Sequence, residues 1–72
     1  MAEPRAKTEP ALEHLTPRER ECLALVNQHL SSKQIGRQLG ISKHTVDTHL
    51  DKARQRLGAQ DRYAAARLFA AA

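Results

Sequence analysis

Residues 35–46 read Ile35-Gly36-Arg37-Gln38-Leu39-Gly40-Ile41-Ser42-Lys43-His44-Thr45-Val46, and their spacing decides the fold. Ile35 and Leu39, four apart, make the buried stripe of a helix. Gly40 follows at once and supplies the left-handed residue with which helices end. Ser42 caps a second helix, and Val46 is the apolar anchor inside it. Gly36 carries the most information. Glycine within a helix is about 1 kcal/mol worse than alanine, so its presence points to a neighbouring helix that passes close. Two helices joined by a tight turn and crossing steeply form a helix-turn-helix unit, closed here by Ile35, Leu39, Ile41 and Val46. An ordinary hairpin that uses glycine as a stop signal would leave Gly36 unexplained.

The pattern extends on both sides. Upstream, Thr16-Pro17 with Glu19 gives an N-cap, a proline at the first helical position and the glutamate of a capping box. Glu19, Cys22, Leu23 and Val26 then share one face, and the helix is expected to end near Gln28. Leu15 and Arg20 stand where a hydrophobic staple would be, but arginine makes a poor one. Ser31 with Gln34 is a second capping box, opening the next helix at Ser31 or Ser32. Downstream, Val46, His49, Leu50, Ala53 and Leu57 continue the helix from Ser42 to a stop at Gly58. Asp61 can cap a last helix running to about Ala71, with Ala65 and Phe69 toward the core. The expectation is an all-α fold of four helices, with no strand signal and no repeat. Residues 1–13, charged, proline-containing and aperiodic, are expected to be a flexible arm, and 14–72 the folded domain.

Seventy-two residues allow one small domain, whose core is marginal unless its helices are well capped or it dimerises. The net charge of +4 and the pI near 9.8 favour anionic partners. Cys22 is the single cysteine, so no internal disulfide is possible and a reducing, cytoplasmic setting is expected. No apolar run is long enough to span a bilayer, and no membrane role is expected. Nothing resembles a phosphate loop, a nucleophile–base pair or a carboxylate cluster, so no catalytic residue and no cofactor is expected. His44 and His49 are five apart, a poor spacing for a zinc pair on one helix. No metal site is expected; His14 and His29 are isolated and Cys22 reads as core.

Leu15-Thr16-Pro17-Arg18-Glu19-Arg20-Glu21 resembles the L-T-x-R-E-x-E opening of the LuxR-type (GerE-like) DNA-binding domain of bacterial transcription regulators. Ser32-Lys33-Gln34-Ile35-Gly36 is similar to its N-K-E-I-A. Leu39-Gly40-Ile41-Ser42, Thr45-Val46, His49 and Arg56-Leu57-Gly58 follow in the same order and spacing, and Arg62 and Ala65 suit the start of the family's fourth helix. Region 4 of sigma factors shares part of this style, but Thr16-Pro17, His49 and the fourth helix favour the LuxR type. The resemblance implies a third helix that enters the major groove and dimerisation, often through the fourth helix, on two half-sites.

Helix geometry identifies the exposed face independently. With the stripe of Val46, Leu50, Ala53 and Leu57 inward, His44, Thr48, Asp51 and Gln55 point outward at ~100° per residue, flanked by Asp47 and Lys52. The start of a recognition helix reaches base edges, so Lys43, His44, Asp47, Thr48 and Asp51 are the candidate base contacts. In the family the positions of Asp47 and Asp51 often carry basic or neutral polar residues. Here three readings stand: the two acids specify cytosines, they bridge Lys43 and Gln55 at i,i+4 spacing, or groove contact is weak and the face meets protein. Lys33, Lys52 and Arg56 are candidate phosphate contacts, with Arg37 and Arg54 as helpers; Thr45 matches a family phosphate contact. Tyr63, Ala64, Arg67 and Leu68 form the candidate dimer interface, a preference that rests mainly on the resemblance.

The expected function is that of a sequence-specific DNA-binding transcriptional regulator, partnered by double-stranded DNA and a second copy of itself, cytoplasmic and associated with the nucleoid. The alternative is a protein-interaction module of the same fold that docks RNA polymerase or another regulator.

Overall fold

In the computed structural model, which describes residues 12–71, four helices follow one another: α1 Pro17–Val26, α2 Ser32–Leu39, α3 Lys43–Leu57 and α4 Arg62–Ala71. No strand occurs among the described residues. The arm expected over 1–13 lies, for residues 1–11, outside the described residues. Leu12, within that span, is half-buried and packs on the core.

Each helix starts where its cap dictates. At α1, Thr16 Oγ1 accepts from the Glu19 amide and Glu19 Oε1 accepts from the Thr16 amide, each at 3.1 Å. At α2 the same reciprocal pair links Ser31 and Gln34, at 3.2 and 2.8 Å. Ser42 Oγ accepts from the Thr45 amide at α3, and Asp61 Oδ1 from the Ala64 amide at α4. These bonds satisfy amides that have no partner within their helix. The missing staple at α1 is replaced by a polar device, in which Arg20 donates to the carbonyls of Leu15 and Leu12.

The α1 helix is regular to Val26 and its last turn carries on through Asn27 and Gln28, in keeping with the expected end near Gln28. Asn27 keeps helical dihedrals, its amide still reaches the Leu23 carbonyl, and its Nδ2 donates to the Ala66 carbonyl of α4 at 2.7 Å. His29 adopts φ 65°, and Leu30 turns back so that its amide reaches the Leu25 carbonyl and its side chain packs on the core.

Gly36 is buried where α2 meets the turn into α3, and a Cβ there would lie 2.6 Å from the Ile41 carbonyl oxygen. Gly40 closes α2 at φ 74°. Together they let the backbone fold tightly enough for Ile35 and Val46, both fully buried, to share one core. The α1 helix packs on α3 and α4, while α2 packs chiefly on α3. The centre holds Leu23, Ile35, Val46, Leu50 and Cys22, with Ala53, Ala65 and Ala66 allowing close helix approach. The outer face of α3 is thereby left to solvent.

Candidate nucleic-acid interface

Pinned by Val46, Leu50, Ala53 and Leu57, α3 shows its opposite side to solvent: Lys43, His44, Thr48, Asp51, Lys52 and Gln55 are all exposed. The rotation is the one that spacing of the buried stripe requires. The Thr48 hydroxyl donates to the His44 carbonyl at 3.1 Å. Thr45, half-buried, has Oγ1 2.9 Å from Ser42 Oγ at the first turn. Lys33 is exposed on the first turn of α2, where free helix-end amides favour anions.

The two acids differ. Asp51 is exposed, accepting from Gln55 Nε2 at 2.9 Å and from Arg54 Nη2 at 3.2 Å along its own helix. Asp47 is half-buried and turned toward other helices. Its Oδ1 accepts from Ser32 Oγ, and from Arg62 Nη2 at 3.0 Å. Its Oδ2 lies 3.6 Å from Lys43 Nζ. The Ser32 hydroxyl above all, with Arg62 and then Lys43, holds the Asp47 carboxyl below its ordinary range against the opposing effect of burial. The i,i+4 bridges of the second of the three readings are present, Asp47 with Lys43 and Asp51 with Gln55, and Asp47 has longer-range partners as well.

In the sequence Ser32 and Arg62 stand as helix-start residues that match the family pattern, with nothing to tie them to Asp47. They lie 15 residues before and after Asp47, and no helical periodicity links such positions.

The remaining cations divide into two groups. Arg56 is engaged, with Nε 3.7 Å from Glu19 Oε1 and Nη1 donating to the His14 carbonyl at 2.9 Å. Arg54 reaches Asp51 and the Ala59 carbonyl. Lys33, Arg37 and Lys52 have no carboxylate partner among the described residues. His49, half-buried, lines a shallow groove with Thr16, Pro17, Lys52 and Arg56.

On α4, Tyr63, Arg67 and Leu68 are exposed and Ala64 is half-buried against the core. Among the described residues, Tyr63 and Leu68 are the large apolar side chains most open to solvent. Burial raises the thiol of Cys22 above its ordinary value, the nearby Arg18 only partly offsetting this. No set of three His, Cys, Asp or Glu side chains converges on a metal-sized site among the described residues. No helix there is long and apolar enough to cross a membrane.

Residues 13–69 match the family model described as bacterial regulatory proteins, luxR family. The nitrate/nitrite response regulator protein NarL of Escherichia coli K12 is 40% identical over 62 residues, 86% of this chain and 29% of that protein. The spore germination protein GerE of Bacillus subtilis is 44% identical over 48 residues, 67% of this chain and 65% of that one. The transcriptional regulatory protein MctR of Rhizobium johnstonii is 38% identical over 52 residues, 72% of this chain and 24% of its own. The chain thus spans under a third of NarL and about two thirds of GerE. No solved structure matches.

Proposed function

The chain belongs to the luxR family of bacterial regulatory proteins, whose domain is a DNA-binding domain of transcription regulators, and on that basis we propose that it reads operator DNA with α3 in the major groove, as a dimer on two half-sites. One observation carries this reading: the first turns of α3 present Lys43, His44, Thr48 and Asp51 together on a face that the core leaves open. A recognition helix reads base edges with such N-terminal residues. Lys43 donates to guanine or phosphate, Thr48 offers a methyl to thymine, and Asp51 accepts from cytosine N4. Lys33, Thr45 and Lys52 contact phosphates and set the register; Arg56, held by Glu19 and His14, adds positive charge at the far end of α3. Pairing runs through Tyr63, Ala64, Arg67 and Leu68 of α4, which would place two reading helices one DNA turn apart. The setting is the cytoplasm, with the protein on the nucleoid.

Splitting specificity from affinity tests this. Alanine at Lys43, His44, Thr48 or Asp51 should relax the preferred base at one position per half-site, by about 1–3 kcal/mol for a bidentate contact. Alanine at Lys33 or Lys52 should weaken all sequences alike and reduce the salt slope by about one. Unchanged base preferences in the first set would remove α3 from the groove. A second reading, docking on RNA polymerase or another regulator, is favoured by the way Asp47 and Asp51 take up Lys43 and Arg54. Under it, Lys33→Ala would leave partner binding intact.

A further inference from the structure

Asp47 stands among the base-reading positions of α3, yet its carboxylate faces the protein. Ser32 Oγ donates to Asp47 Oδ1, Arg62 Nη2 donates to the same oxygen at 3.0 Å, and Arg62 Nη1 donates to Ser32 Oγ at 2.6 Å. The three side chains close a ring. Each belongs to a different helix: Ser32 is the first residue of α2, Asp47 lies in the second turn of α3, and Arg62 is the first residue of α4. Ser32 is buried, and about a third of the Asp47 and Arg62 side chains is exposed, at 34% and 31%. The hydroxyl has one proton and gives it to Asp47. The planar guanidinium spans both partners, which suits arginine and not lysine.

An Asp47 that swung outward to meet a base would abandon two charge-assisted bonds, leave Ser32 short of its acceptor, and bring a bare carboxylate toward phosphates. The geometry points to Asp47 as a positioning residue for DNA recognition: it fixes the reading helix against α2 and α4 through Ser32 and Arg62 and makes no base contact of its own. The inference rests on the DNA-reading proposal above and divides its acids, with Asp51 outward as a reader and Asp47 inward as a clamp. It also makes α4, the helix proposed for pairing, a direct support of the reading helix. Arg62, its charge held by Asp47, adds little to phosphate attraction.

The test is binding-site selection with wild type, Asp47→Asn, Asp47→Ala, Arg62→Ala and the double alanine variant, below each variant's unfolding temperature. The readouts are the base-preference profile and the ratio of specific to nonspecific affinity, in which the lost charge of Arg62 largely cancels. All variants should keep the wild-type preferred bases. The ratio should fall about tenfold in Asp47→Ala and in Arg62→Ala, and no further in the double variant, because either change removes the same clamp. If the alanine variants do not fold, Asp47→Asn and Arg62→Lys carry the same comparison, since each keeps size while losing part of the ring. A changed preferred base in Asp47→Asn but not in the Arg62 variants makes Asp47 a reader and overturns the inference, and so do additive losses in the double variant. A wild-type chain that selects no site removes the DNA-reading proposal and this one with it.

Discussion

Arg56 Nε lies 3.7 Å from Glu19 Oε1, so the last turn of α3 is tied to the first turn of α1. The Glu19 side chain is almost fully buried and its Oε1 also accepts from the Thr16 amide. One carboxylate therefore caps a helix and anchors the reading helix. Replacing Glu19 by alanine leaves the Thr16 amide and Arg56 without that partner and opens a gap in the core. The expected loss is about 2 kcal/mol, or roughly 10 °C in unfolding temperature for a domain this small. Glu19→Gln keeps a capping oxygen and should lose less. Circular-dichroism melts of the two variants check the order.

The turn offers a second test. At Gly36 a methyl would meet the Ile41 carbonyl oxygen at 2.6 Å, but alanine also gains about 1 kcal/mol as a helix former, and alanine stands here in the family pattern. The oxygen belongs to the backbone and cannot swing aside, so the clash outweighs the gain and Gly36→Ala should lose about 1 kcal/mol net. Gly36→Val adds bulk without that gain and should destabilise by about 2–3 kcal/mol. Gly40 has open space but φ 74°, so Gly40→Ala should lose about 1–2 kcal/mol and Gly40→Asn less. Urea midpoints measure all four.

Acid should weaken the Asp47 clamp in a defined window. Ser32 and Arg62 hold this carboxyl below its unfolded value. A depressed pKa stabilises the fold above the unfolded value, and that stabilisation is lost as pH falls through the folded one. The stability difference between wild type and Asp47→Asn should therefore be constant near neutrality and shrink below about pH 4, where unfolded carboxyls take up protons. Urea unfolding of both proteins from pH 7 to pH 2.5 reads it directly.

Cys22 is fully buried, and burial keeps its thiol protonated above the usual range. A thiol reagent should label it only as fast as the domain opens, with rates rising in urea along the unfolding curve. Rapid labelling of the native chain would contradict that packing. Cys22→Ser, which puts a hydroxyl in the same place, should lose about 1–3 kcal/mol.

The local signals were legible from the chain. Thr16, Ser31 and Ser42 cap where their spacing says, Gly40 closes α2, and the buried stripe of α3 sets which side chains face solvent. The long-range ones were not. Asp47 and Asp51 are both acids on one helix; periodicity turns Asp51 outward and puts Asp47 on the flank, but it does not say what Asp47 touches. What separates them is Arg62, delivered by the packing of α4, and Ser32 at the start of α2. The Asn27 side chain shows the same limit, since it bonds the Ala66 carbonyl, 39 residues on in sequence.

The most direct test of the account is fluorescence anisotropy of the purified chain against a pool of random genomic DNA at several salt concentrations, with sequencing of the retained fragments. A dimer that reads operator DNA through α3 predicts enrichment of a short inverted repeat and an affinity that drops steeply as salt rises. Weak binding with no enriched sequence would contradict it and leave the outward face of α3 to a protein partner.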